Sequence, residues 1–193
     1  MKVVIDTSSL LSLVRYYLHF DKSSVLFNFI KNKIEIGEII IIDKVHKECS
    51  FFSSGLILKT LPFLTDKTFL KSTKLPIKTD SLIAPAPAKF SRRVDSHFVN
   101  ATVKKLRKLT EEEYESQKNT FMNDADMKLI LLCLNLKKDN QEEEVILVTE
   151  ESETSNDNKL FIKIPAICKH LNILTMTLPQ LLEKYDGIDI EFK

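Results

Sequence analysis

The chain has 193 residues, of which 44% are hydrophobic and 28% are charged, and its formal net charge at pH 7 is +1. This composition is typical of a globular protein, and no apolar run approaches the ~20 residues that a membrane span requires. A net charge close to zero excludes nucleic-acid binding through overall charge, so such binding would need a local basic cluster. From its length we expect one domain over residues 1–193. We expect it to be cytoplasmic, because the N-terminus lacks the pattern of a signal peptide.

The first predicted elements are a strand and a helix that meet at Asp6. Residues 3–5 are apolar and β-branched, which is typical of a buried strand in a parallel sheet. Apolar residues recur at helical spacing from Leu10 onward. Asp6 either caps this helix or lies at the carboxyl end of the strand, where ligands bind in open α/β folds.

A second strand is predicted at residues 39–42, which are four consecutive isoleucines. The helix that follows begins near Asp43 and carries Glu48. Because this helix would leave the same edge of the sheet as the first one, Glu48 either faces that edge or forms part of a solvated helix surface.

The middle of the chain, residues 53–121, is predicted to be an insertion that packs on the domain. Its prolines interrupt long helices, although its many leucines and phenylalanines are too apolar for a free linker. It contains one predicted basic helix at residues 91–109, and Thr110 with Glu113 forms a capping box for a short acidic helix. The basic cluster either contacts a phosphate backbone or is a solvated surface, and its candidate RNA-binding residues are Lys89, Arg92, Arg93, Lys104 and Lys105.

The last third of the chain begins with the most apolar helix, which starts at Asp124 or Asp126. One explanation is that Asp124 caps the first free amides of this helix, and the other is that Asp126, inside the first turn, is a ligand that points into a polar cleft. A buried strand follows at residues 145–148, with Glu150 and Glu151 just after its carboxyl end. A helix from Ile164, a strand at residues 173–177 and a terminal helix complete the prediction.

Alternating buried strands and helices predict an α/β protein, a three-layer α/β/α sandwich around a central, mainly parallel sheet. In such a sheet Asp6 and the Glu150/Glu151 pair share one edge, which Glu48 and Asp126 reach from helix starts. Carboxylates so near to one another repel, which raises the pKa of each, and a divalent cation removes this repulsion. Ligands that are all carboxylates favour Mg²⁺ or Mn²⁺, which take substrate phosphate as a further ligand.

Four short motifs follow one another along the chain. They are Ile-Asp-Thr-Ser at 5–8, the strand-then-helix segment ending at Glu48, the buried helix from Asp126, and Val-Thr-x-acid ending at Glu151. In this order they resemble the PIN-domain nucleases, a family of metal-dependent ribonucleases that includes toxins of prokaryotic toxin–antitoxin pairs. The resemblance spans most of the chain except about residues 53–121, and residues 148–168 resemble a poorly characterised prokaryotic subgroup of PIN-like proteins.

The resemblance implies a PIN-like sandwich in which the acidic cluster both binds metal and carries out catalysis. Its members would be Asp6, Glu48, Asp126 and Glu151, with Ser8 hydrogen-bonded behind them. Two departures from the family pattern leave alternates. Glu150 competes with Glu151 where the family usually has Asp, and Asp124 competes with Asp126.

The implied function is that of a Mg²⁺- or Mn²⁺-dependent endoribonuclease, with in-line attack of water on a phosphodiester and a 3′-hydroxyl leaving group. Its partner would be RNA, and the toxin relatives add an antitoxin protein and a homodimer, with no membrane. The alternative is a PIN-like interaction module that is weak or inactive as a catalyst. A phosphatase with Asp6 as nucleophile is disfavoured because Ser8 stands where a second Asp is needed. Nucleotide-cofactor folds are disfavoured by the lack of a glycine-rich loop.

Overall fold

A sheet of four short parallel strands lies at the centre of the computed structural model, which describes residues 1–153 and 158–185. The strand order is β2-β1-β3-β4, and each neighbouring pair is parallel. The central strands β1 and β3 are almost completely buried, as expected for a sheet that is covered on both faces. The strands are β1 (Lys2–Ile5), β2 (Ile39–Ile40), β3 (Val145–Val148) and β4 (Leu174–Met176).

Helices cover the two faces of this sheet, which confirms the predicted three-layer α/β/α sandwich. The helices are α1 (Thr7–Ser12), α2 (Val25–Glu35), α3 (Asp43–Cys49), α4 (Leu56–Thr60), α5 (Lys67–Thr73), α6 (Pro87–Arg93), α7 (Ala101–Arg107), α8 (Glu111–Met122), α9 (Ala125–Asp139), α10 (Ile164–Leu171) and α11 (Leu178–Lys184). Helix α9 is packed against β1 and β3, and its first nine residues are almost all buried. This explains why its sequence is apolar nearly all round.

The register of the two central strands determines where the site lies. Ile5 at the end of β1 pairs with Val148 at the end of β3. The ladder continues for one more step, because the backbone N–H of Asp6 donates to the carbonyl oxygen of Val148 at 2.9 Å. Asp6 and Thr149 therefore leave the sheet side by side at its carboxyl edge.

The predicted isoleucine strand is shorter than expected. Strand β2 contains only Ile39–Ile40, although Ile41 and Ile42 are just as buried. The carbonyl oxygen of Ile41 accepts from the backbone N–H of Ile77, whose own carbonyl oxygen accepts from Asp43. These backbone groups are thus satisfied by Ile77 rather than by the sheet.

The prediction of a single basic helix at residues 91–109 is wrong. Helix α6 is followed by a π-helical turn at Val94–Phe98, and α7 begins only after an extended break. At this break Val99 forms an antiparallel bridge with Phe161, and the Asn100 side chain accepts from the N–H of Val103, which caps α7. Pairing with residues 160–162 replaces the helical hydrogen bonds that the periodicity had predicted.

One cluster of buried apolar side chains runs through the described part of the chain and includes Phe90 and Phe98 from the middle segment. The division into one domain with an insertion at about residues 53–121 stays a prediction. Among the described residues, none of the helices combines the length and the apolar character needed to cross a bilayer.

Candidate functional site

Asp6 follows β1 directly and is 7% exposed. Its carboxylate accepts three hydrogen bonds, from the Thr7 backbone N–H at 2.7 Å, the Ser8 hydroxyl at 2.6 Å and the Thr149 hydroxyl at 3.1 Å. The residue therefore caps α1 and also lies at the sheet edge, so both sequence interpretations describe it. Three donors satisfy a carboxylate that water scarcely reaches.

Glu48 lies on α3 and faces Asp6 rather than bulk solvent. The Thr7 hydroxyl donates a short hydrogen bond to its Oε2 atom, so a single residue holds both acids. Partial burial raises the pKa of Glu48, the Thr7 hydrogen bond opposes the shift, and the charges of Asp6 and Asp124 add to it. The solvated-surface interpretation of this glutamate is wrong.

Two aspartates at the start of α9 have different roles. Asp124 is exposed and caps the helix, accepting from the Ala125 backbone N–H at 2.9 Å. Asp126 lies in the first turn and is half-buried. Burial raises the pKa of Asp126 to about 7, and the charges of Asp6, Glu151, Asp124 and Glu48 contribute in that order. Asp126 is thus the side chain on which the other four acids act.

Glu150 and Glu151 diverge after β3. Glu150 is exposed, and its Oε1 accepts from the Ser9 hydroxyl at 3.1 Å and from the Leu178 backbone N–H at 2.7 Å, at the start of α11. Glu151 is half-buried, accepts from the backbone N–H of Ile164 at 3.4 Å, and helps to raise the pKa of Asp126. Of the two alternates, the structure brings Glu151 to the other acids.

The side chains behind Asp6 form a small hydrogen-bond network. Ser8 donates to Asp6 and accepts from the Glu150 backbone N–H, so the contact expected for Ser8 is present. The Thr149 hydroxyl donates to Asp6 and accepts from the Glu151 N–H at 3.2 Å. Sequence reasoning missed the roles of Thr7 and Thr149. The available signal was their position after buried strands. Thr149 directly follows β3, and Thr7 is the second residue after β1.

A cleft of about 370 Å³ opens beside α9, and Asp124 and Asp126 line one side of it. Phe121 and Phe161 form an aromatic wall, with ring centroids 4.1 Å apart and planes 3° from parallel. Basic side chains complete the lining, namely Arg107, Lys159 and Lys163. Only the first of these belongs to the basic cluster seen in the sequence.

The family described as a domain of unknown function (DUF4411) matches residues 82–187, just over half of the chain. The chain belongs to this family. No curated protein and no solved structure matched. The DUF4411 match includes Asp126 and Glu151 and the residues that line the cleft, whereas Asp6 and Glu48 precede it.

The five candidate RNA-binding residues of this DUF4411 chain lie on α6 and α7. Lys89 and Arg92 are exposed on α6, Arg93 is half-buried there, and Lys105 is exposed on α7. Lys104 packs its ammonium group 3.4 Å from the centre of the Tyr114 ring, a cation–π contact that occupies it. Within residues 1–153 and 158–185, the cleft lining includes none of these five.

The side chains at this edge can be compared with what a hard cation would need. In the described part of the chain, no three His, Cys, Asp or Glu side chains are arranged to hold one metal ion. The donors are nonetheless all carboxylates, which Mg²⁺ and Mn²⁺ prefer. Repulsion from the other acids adds to burial in raising the pKa of Asp126, and a cation would relieve that repulsion, so the chemistry of these DUF4411 residues fits such an ion.

Proposed function

We propose that this protein is a Mg²⁺- or Mn²⁺-dependent endoribonuclease that hydrolyses phosphodiester bonds in RNA. The observation that carries the proposal is the hydrogen-bond network that links three acids at the sheet edge, because Thr7 joins Asp6 to Glu48 and Thr149 joins Asp6 to the Glu151 backbone. Burial, followed by the charges of these acids and of Asp124, raises the pKa of Asp126 to about 7. The resemblance to PIN-domain nucleases adds support, since its four acids are the ones that interact here.

Asp6, Glu48, Asp126 and Glu151 would hold the cation. Such an ion would make water a stronger nucleophile at neutral pH and would neutralise charge that develops on the phosphodiester. The protein's own groups orient the acids. Ser8 and Thr149 hold the Asp6 carboxylate by hydrogen bonds, and Thr7 holds that of Glu48. Burial, and then the charges of the neighbouring acids, raise the pKa of Asp126 to about 7, and a bound cation would offset the charge part of this shift.

The test is cleavage of single-stranded RNA with Mg²⁺ or Mn²⁺, compared with the same reaction in EDTA. We expect EDTA to abolish cleavage, and we expect Asp6→Asn and Asp126→Asn each to slow it by about 100-fold or more. Asp139→Asn is the matched control, because Asp139 is the exposed last residue of α9. Cleavage in EDTA, or equal activity of Asp6→Asn and the parent protein, contradicts the proposal.

A PIN-like module that binds partners without cutting RNA is the second candidate. The observation in its favour is an exposed aromatic pair after α3, Phe51 and Phe52, which are 58% and 45% exposed and stacked at 5.2 Å. This candidate predicts that no metal-dependent cleavage occurs. We likewise propose an antitoxin protein as a partner and a homodimer as the assembly.

A further inference from the structure

The cleft beside Asp126 has a chemical character that the acids alone do not explain. It combines acidic groups at one side, an aromatic wall, and basic groups supplied by α7 and residues 159–163. Its volume of about 370 Å³ lies in the lower part of the range of small-ligand pockets, which begins at about 300 Å³. Such a cleft is large enough for one nucleotide.

Tertiary structure creates the basic side of the cleft. Arg107 is the last residue of α7, and its Nη2 atom donates to the Asn158 carbonyl oxygen at 2.6 Å. This contact fixes the guanidinium beside the segment that carries Lys159, which is exposed. The remaining donors of a guanidinium held in this way suit a phosphate group.

The apolar side of the cleft is a pair of stacked rings. Phe121 from α8 stacks on Phe161, and the backbone on both sides of Phe161 is hydrogen-bonded, from Asn100 N–H to the Leu160 carbonyl oxygen and from Ile162 N–H to the Phe98 carbonyl oxygen. An aromatic face that is partly exposed and anchored in this way can receive an unstacked base.

We propose that this cleft binds one nucleotide of single-stranded RNA, with its phosphate on Arg107 and Lys159 and its base against the Phe121/Phe161 wall. This inference rests on the proposed ribonuclease function and extends it. The bound nucleotide would present the neighbouring phosphodiester to Asp126, because Asp126 lines the same cleft. Arg107 and Lys159 are therefore positioning residues.

The experiment measures binding without cleavage. Fluorescence anisotropy follows a fluorescein-labelled single-stranded RNA of about ten nucleotides with protein that carries Asp126→Asn in EDTA. This substitution removes one negative charge near the cleft. Arg107→Ala and Lys159→Ala are added singly, and Arg107→Lys retains the charge without the planar guanidinium. The matched control is Lys71→Ala, since Lys71 is exposed on α5. Thermal unfolding confirms that each variant is folded.

At about 50 mM salt we expect Arg107→Ala and Lys159→Ala each to weaken binding by about three- to tenfold, and each to lower the slope of log affinity against log salt by about 0.7. Lys71→Ala should leave both quantities unchanged, and Arg107→Lys should retain the salt slope but bind more weakly than the parent.

Two results would overturn the inference, and they differ in what else they overturn. If the parent of this assay, which carries Asp126→Asn, binds RNA but neither cleft variant changes affinity or salt slope, the RNA passes elsewhere and the ribonuclease proposal survives. A larger loss with Lys89→Ala or Arg92→Ala would then place the RNA along α6. If the parent does not bind RNA at all, the ribonuclease proposal fails together with the cleft.

Discussion

Asp6 and Asp126 are two acids at one edge of the sheet, yet their surroundings differ in kind. Asp6 is buried and accepts hydrogen bonds from Thr7, Ser8 and Thr149, so the protein itself satisfies its charge. Burial and, after it, the charges of four other carboxylates raise the pKa of Asp126 to about 7. One half of the site, Asp6 with its hydrogen-bond donors, is thus organised by hydrogen bonds. In the other half, Asp126 lies partly buried among carboxylates that repel it. The two halves should respond oppositely to mutation.

The largest expected effect is on stability at Asp6. Asp6→Ala should lower the free energy of unfolding by roughly 3 kcal/mol, because three donors lose their acceptor, one of them the Thr7 N–H through which Asp6 caps α1, with some relief of repulsion in return. Urea unfolding at neutral pH measures the change, with Asp139→Ala as the control on an exposed acid. An Asp6→Ala variant as stable as the parent would show that these hydrogen bonds contribute little, and the contrast between the halves would disappear.

Asp126→Asn should have the opposite sign and depend on pH. The folded-state pKa of about 7 lies above the ordinary value of 3.8, so between these limits the folded protein holds a proton that the unfolded chain releases. The free energy of unfolding therefore falls as pH rises from about 4 to about 7. At about pH 8 without divalent cations, Asp126→Asn should be more stable than the parent by roughly 2 kcal/mol, after discounting the shift for partial solvent screening. Near pH 4 the two should be similar.

The measurement is urea unfolding of Asp126→Asn and the parent protein across this pH range in EDTA. Because the pKa of Glu48 is also raised, the variant should keep a weaker slope of the same sign. A variant that is less stable than the parent at about pH 8 would mean that Asp126 makes favourable contacts that outweigh the repulsion.

The smallest expected effect separates the two halves most finely. Ser8→Ala removes one donor to Asp6 and one acceptor for Glu150, and it should cost about 1 kcal/mol of stability. It should also slow cleavage by about tenfold while leaving the pH dependence of stability unchanged, because the raised pKa values of Asp126 and Glu48 set that dependence. Parallel unfolding and cleavage assays test this prediction. A changed pH profile would show that Ser8 acts on both halves.

Sequence periodicity was sufficient for most of the sheet and its flanking helices. Strand β3 has the predicted bounds, helix α10 begins at the predicted Ile164, and the capping box of Thr110 and Glu113 is present. Local patterns failed where backbone groups bond to distant segments. The isoleucine strand ends early because Ile77 pairs beside it, and the predicted basic helix breaks because Val99 pairs with Phe161.

The sequence by itself determined that Asp6 follows a buried strand and that two aspartates begin a buried helix, because both follow from local apolar spacing. Only the tertiary structure decided that Glu151 rather than Glu150 acts on Asp126, and that Arg107 and Lys159 line the cleft. It also decided that Thr149 donates to Asp6, across 143 positions of the chain. Periodicity reports which face of an element is buried. Which side chains meet at a sheet edge depends on strand register and on long-range backbone pairing, and no local spacing encodes these.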